Sequence, residues 1–333
     1  MAQPRIGPLC GFNFQWMFIK GDDGKPIEAD LRALDFMAKH DLRFVRIPTD
    51  YRFWTKDFDY FHPDEAVFEV LDRHLAACRE RGLHMSLNLH RAPGYCINRN
   101  DLERHNLWLD IEAQDAFAFL WEGFAKRYRG IPAGDLSFDL VNEPPNVGQY
   151  GMTRENHAAV IRRTVAAIRS VDPERPIVID GLGGGHYAMA ELADLGVTHS
   201  CRGYQPMPVS HHRATWWDGH ANAPYPAYPG VIWEGEVWDA DTLREFYRPW
   251  REVEAQGVEV HVGEFGCFNQ TPNADALRWL SDLFFLWREF GWGWAMWNFE
   301  GAFGIIGHGR EGARFETMDG YEVDADLWHL MRR

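Results

Sequence analysis

Short β-branched or alternating apolar runs recur along this chain, separated by longer stretches whose apolar residues fall three and four apart. Period two alternating with period 3.6 is the pattern of repeated strand–helix units, and such units build a parallel sheet covered by helices. Strands are predicted near 10–13, 44–47, 84–89, 136–141, 177–180, 198–203, 258–262 and 293–297. Helices are predicted near 30–39, 65–81, 112–128, 154–170, 188–193, 241–255 and 274–290, with a short one at the C-terminus. In 65–81, Val67, Val70, Leu71, His74, Leu75 and Cys78 would line one face, as packing on a sheet requires. Eight such units in 333 residues fit one α/β domain, a (β/α)8 TIM barrel, with a doubly wound sheet as the alternative. No Pro/Gly/Ser linker or internal repeat interrupts residues 1–333, so a single catalytic domain without a separate carbohydrate-binding module is expected. The surplus length falls in long segments at 51–63 and 207–237, after the second and sixth strands, where a barrel builds its sites.

Charge and composition exclude several functions. A formal net charge of −15 argues against nucleic-acid binding. No run approaches the ~20 apolar residues of a membrane span, and the first residues lack the regions of a signal peptide. The protein is therefore expected to be cytoplasmic, or secreted or periplasmic if a leader has been removed. Five scattered cysteines without a CxxC spacing read as reduced thiols. The unusual count is 15 Trp, many in apparent loops, a residue suited to flat apolar ligand faces such as pyranose rings as well as to core filling.

Two predicted strands run into glutamates, 136–141 into Asn142-Glu143-Pro144-Pro145 and 258–262 into Gly263-Glu264-Phe265-Gly266. In a barrel both positions project into one rim. Paired carboxylates in a polar-aromatic cleft suit glycoside hydrolysis, although either alone could be a solvated loop carboxylate or a helix N-cap. Pro144 is expected to hold Glu143 extended, and Gly263 and Gly266 to flank Glu264 with little bulk.

The segments GFNF, VRIP, LHRAPGY, FDLVNEP, HVGEFG and AMWNFEGAFG, in that order over nearly the whole chain, resemble glycoside hydrolase family 5, a cellulase-type retaining family. The resemblance implies an acid/base at Glu143 and a nucleophile at Glu264, with no cofactor and no metal. It further implies that Arg46 keeps the nucleophile ionised, that Asn142 donates to the sugar 2-hydroxyl, and that His90 orients active-site groups or a substrate hydroxyl. Tyr204 would touch the nucleophile, and Trp297 would lie under the sugar on the non-reducing side of the cleaved bond. Trp16, Trp54, Trp216 and Trp217, along with Trp108, Trp233 and Trp238, are further subsite candidates. Asp50, Glu234, Glu236 and Glu300 could bind hydroxyls.

One position departs from the family. Two residues before Tyr204 the family usually has histidine, and this chain has Arg202. An arginine close to Glu143 would lower its pKa, so Arg202 is expected to point elsewhere or to pair with another carboxylate, with His211 or His212 reaching back to replace the missing ring.

The expected function is retaining endo-hydrolysis of β-1,4-glucan or mixed-linkage glucan, by a monomer acting on β-linked oligo- or polysaccharide. β-Mannan, xyloglucan, β-1,3-glucan and exo-acting β-glucosidase activity stay open, as does a catalytically silent sugar-binding barrel. A metal-dependent hydrolase fits less well, because the first strand lacks His-x-His and His211-His212 would splay apart.

Overall fold

The computed structural model describes residues 5–333. Residues 1–4, part of the N-terminal segment expected to lack signal-peptide regions, lie outside the described residues. The barrel strands are β1 (Cys10–Asn13), β2 (Phe44–Asp50), β3 (His84–Arg91), β4 (Leu136–Asp139), β5 (Ile177–Asp180), β6 (Thr198–Gly203), β7 (Val260–Phe265) and β8 (Gly293–Met296). Each pairs in parallel with its neighbours in chain order, and β8 returns to β1 to close the barrel.

The long outer helices are α1 (Leu31–Lys39), α2 (Glu65–Glu80), α3 (Ile111–Arg127), α4 (Arg154–Val171), α5 (Ala240–Glu254), α6 (Asn273–Phe290) and α7 (Ala325–Arg332). Side chains of Asp30, Asp64, Thr153, Asp239 and Asp324 accept the free N–H groups that open five of them, and Thr153 with Asn156 forms a capping box. In α2 the buried face is Phe68, Leu71, His74, Leu75, Ala77 and Cys78, so Phe68 takes the role expected of Val67 and Val70, which are only half-buried.

Three boundaries differ from the sequence expectation in ways that matter for the rim. The strand expected at 136–141 stops at Asp139, and the ladder then changes side, with Leu140 N–H bonded to Val178 at 3.0 Å but Asn142 N–H to Leu89 on the opposite neighbour at 3.0 Å. The strand expected at 258–262 runs from Val260 to Phe265, so Glu264 lies inside it. The helix expected at 188–193 is a 3-10 segment, Ala190–Leu195.

The register then assembles the site. Asn13 pairs with Arg46 across β1 and β2. Between β6 and β7 the register slips after Cys201, which brings Arg202 directly beside Glu264. Irregularities of this kind re-aim side chains next to active sites. Beyond β6, residues 207–237 form a short helix Met207–Ser210, a 3-10 turn Asp218–Asn222 and a hairpin of Val231–Trp233 with Glu236–Trp238. Among the described residues no helix is long and apolar enough to cross a membrane.

Candidate active site

Two buried arginines meet four carboxylates at the C-terminal rim of the barrel. Arg46, on β2, donates through Nε to Asp139 at 2.6 Å, through Nη1 to Asn13 at 2.9 Å and to Glu264, and through Nη2 to Asn142 at 3.0 Å. Arg202, on β6, donates through Nε to Glu143 at 2.8 Å and grips both oxygens of Asp180, with Nη1 at 3.0 Å from one of them. Its Nη2 also reaches Asn142 at 2.9 Å and Glu264 at 3.3 Å. Taking guanidinium groups out of water costs several kcal/mol each unless every donor finds an anion or a carbonyl, which is what this lattice provides.

Glu143 and Glu264 thus lie on one guanidinium although 264 − 143 separates them by 121 residues. Glu264 takes Arg46 and Arg202 on Oε1 and the Tyr204 hydroxyl on Oε2 at 3.3 Å. With four carboxylates against two arginines, the cluster cannot ionise completely without repulsion. Burial, and then the charge of Glu264, raises the Glu143 pKa to about 7, while Arg202 pulls the other way. Burial likewise raises Asp139 to about 6 against the pull of Arg46. At Asp180 burial is outweighed by Arg202 and Arg46, which hold its carboxyl below the usual range.

The backbone of Glu143 corrects the extended geometry expected of a residue before proline. Its φ is +49°, a left-handed conformation costing roughly 1–3 kcal/mol for a residue with a Cβ. Tertiary bonds on both sides hold it: its N–H donates to Asp180 at 3.0 Å, and its carbonyl accepts the Tyr95 hydroxyl at 2.6 Å. The following prolines are pinned by the glycine turn after β5, where Gly184 N–H reaches the Pro144 carbonyl at 3.0 Å and Gly183 N–H reaches that of Pro145 at 3.1 Å.

The expectation for Arg202 is corrected in one half. It does pair with another carboxylate, Asp180, but it also points at Glu143 rather than elsewhere. His211 packs edge-on against Tyr204, with ring centroids 5.1 Å apart, and bonds the Ser210 hydroxyl at 2.8 Å. It buttresses the tyrosine and does not substitute for the missing ring at Glu143. His212 turns the other way, onto Tyr225 at 6.0 Å.

His90 lies under Trp297 with ring centroids 5.3 Å apart and planes 19° from parallel. Burial, and then Arg46, Arg202 and Arg91, hold this imidazole neutral, far below its ordinary pKa. Its Nε2 is 3.4 Å from the Asn142 amide nitrogen, and its buried Nδ1 lies 4.0 Å from Glu264 without a hydrogen bond. Asn142 Oδ1 accepts from both arginines, so the amide nitrogen is the end turned toward His90.

Several tryptophans belong to the core. Trp54 is 1% exposed and packs on Phe68 and Phe124, so it cannot meet a sugar without unfolding its loop. Trp108 packs against Tyr95 and His157, and Trp238 against Phe246. Trp16 packs on Phe14, with ring centroids 4.4 Å apart, and lines a cavity of about 230 Å³ together with Asn13, Asn298 and Glu300. Trp297 is half-buried, Trp216 is 57% exposed beside Phe268 and Phe303, and Trp217 is half-buried against Trp233. Of the acidic candidates, Asp50 is consumed by Arg52 and Arg91, whereas Glu234, Glu236 and Glu300 are exposed.

Asp139, Asp180 and Tyr95 were not singled out from the sequence. The signal was an aspartate in each of the apolar runs LSFDLV and PIVIDG, where a strand buried on both faces carries charge only if it is paired.

A closed parallel barrel with a glutamate pair at its C-terminal rim fits the paired-carboxylate chemistry of a glycoside hydrolase. Residues 10–302 match the cellulase family, glycosyl hydrolase family 5, and the chain belongs to it. Endoglucanase C of Acetivibrio thermocellus is 26% identical over 81% of this chain and 83% of its own length. A solved structure described as a glycoside hydrolase is 60% identical, with a TM-score of 0.96 over 97% of this chain and 98% of that one. Cel5A of Thermotoga maritima in complex with cellobiose shares the fold at 21% identity, with a TM-score of 0.78 over 99% of each chain.

Proposed function

We propose that this glycoside hydrolase is a retaining endo-β-glycanase that cleaves β-1,4-glucosidic bonds of cellulose-like or mixed-linkage glucan. The observation that carries the reading is that one buried guanidinium bonds both Glu143 and Glu264, an arrangement that favours the close carboxylate spacing of retaining enzymes, about 5–5.5 Å. The Glu264 carboxylate attacks the anomeric carbon, the bond to the leaving oxygen breaks, and the Glu143 proton passes to that oxygen. In the ester that results Glu264 has lost its charge. One of the causes that raise the Glu143 pKa disappears with it, so Glu143 stays ionised after giving up its proton and is in the state that can accept one from the incoming water. Water then gives its proton to Glu143 and its oxygen to the anomeric carbon, which restores both groups. Asn142 and His90 supply polar contacts to sugar hydroxyls, and Trp297 a flat face for the ring.

The β-1,4-glucan assignment draws support from the names of the relatives, an endoglucanase and a cellobiose-bound Cel5A. It is tested by reducing-sugar release from carboxymethyl-cellulose, barley mixed-linkage glucan, glucomannan, xyloglucan and laminarin, beside a Glu143→Gln control. Turnover strongest on the first two and lost in the control is expected. A preference for glucomannan, xyloglucan or laminarin would overturn the substrate assignment, and equal activity in the control would overturn the role of Glu143.

A further inference from the structure

The side chain of Arg202 occupies a space shaped to receive it. A Cβ added to Gly185 would meet its Cγ at 2.4 Å, and one added to Gly263 would come within 2.9 Å of Nη1. Ser200 Oγ accepts from Nη1 at 3.0 Å, and the guanidinium is completely buried. Asp180 meets Glu143 twice, directly at the backbone N–H and indirectly through Arg202, whose Nε holds the Glu143 carboxyl. The catalytic machinery proposed above does not by itself require this pair.

We propose that Arg202 and Asp180 act as a positioning pair for the general acid, in which Arg202 aims the Glu143 carboxyl and Asp180 neutralises the arginine so that the acid keeps its proton. The inference rests on the reading of Glu143 as acid/base. An unscreened arginine within hydrogen-bonding distance stabilises a carboxylate and would leave the enzyme without a proton donor near neutrality. With Asp180 in place the pair is close to neutral, and it offers Glu143 an oriented N–H in place of a net positive charge. Other charged and titratable groups face Glu143 or its partners. They are Arg46 from β2, His90 from β3 and Tyr95 after it, Asp139 from β4, His186 after β5, Tyr204 after β6 and Glu264 from β7. Of these only Arg46 is a fixed cation, and it is itself matched by Asp139 and Glu264.

The test compares pH profiles of kcat/KM for two aryl β-cellobiosides, a phenyl glycoside that needs a proton on its leaving group and a dinitrophenyl glycoside that does not. In the wild type, the alkaline limb for the phenyl substrate reports loss of the Glu143 proton. Asp180→Asn removes a negative charge and exposes Arg202, so that limb should move down by about one pH unit or more. Arg202→His removes the positive charge and should move it up. The double variant should return it close to the wild-type position, a compensation expected only of coupled residues. Arg202→Lys keeps the charge but loses the planar fork, so it should lower kcat while leaving the limb in place, and it remains informative if the neutralising variants fold poorly. Throughout, the dinitrophenyl substrate should respond much less than the phenyl one. A limb that stays fixed in both single variants, with equal losses on both substrates, would overturn the inference and leave the pair merely structural. A wild-type protein inactive on both glycosides would overturn the glycosidase reading, and the inference with it.

Discussion

Glu264→Ala is expected to lower kcat by roughly 10⁴- to 10⁶-fold on polymer and aryl glycoside alike, because it removes the group proposed to form the covalent intermediate. Glu264 is held by Arg46, Arg202 and Tyr204 at once, so both of its carboxyl oxygens are fixed in place. Alanine also leaves two buried guanidinium groups short of one anion, so the variant's folding should be checked by circular dichroism before its rate is read. Glu264→Gln keeps the shape and accepts hydrogen bonds through its carbonyl, and it should be almost as inactive. Activity in either variant within tenfold of the wild type would remove Glu264 from the mechanism.

The second large effect separates the two glutamates. Glu143→Ala should cost about 10²- to 10⁴-fold in kcat/KM on substrates whose leaving group needs a proton and far less in kcat/KM on a dinitrophenyl glycoside, whose kcat nonetheless falls because the slow step becomes attack of water on the intermediate. Azide needs no deprotonation. The variant also frees the Nε–H of Arg202 that Glu143 occupies, a buried donor suited to an anion in the vacated space. Millimolar azide should therefore restore turnover of the dinitrophenyl substrate and yield a β-glycosyl azide, followed by chromatography and mass. Azide should do nothing for the wild type. No rescue, or an α-glycosyl azide, would contradict the roles given to Glu143 and Glu264.

Much of this was legible in the sequence because barrel strands repeat a local signal. The runs ending at Asn13, Asp180 and Gly203 were bounded by their own apolar pattern, and all three strands have the expected limits. The glutamates were legible as carboxylates where predicted strands run out, and Arg46 only through the family resemblance. What escaped depends on long-range pairing. The conformation of Glu143 follows from bonds to Tyr95 and Asp180, 48 and 37 residues away, which override the local preference of a residue before proline. The placement of Arg202 depends on a register slip between β6 and β7 that leaves no mark in composition. Tryptophan was the least legible residue, since Trp54 and Trp216 both lie in rim loops, and only the tertiary structure buries the first and exposes the second.

The most direct measurement of the central claim is the anomeric configuration of the first product, followed by ¹H NMR within the first minutes of hydrolysis of a β-linked cello-oligosaccharide. Two displacements at one carbon, by Glu264 and then by water, predict that the β-anomer appears first and that the α-anomer grows in only by mutarotation. An α-anomer formed first would mean a single displacement by water, and would contradict a covalent intermediate on Glu264.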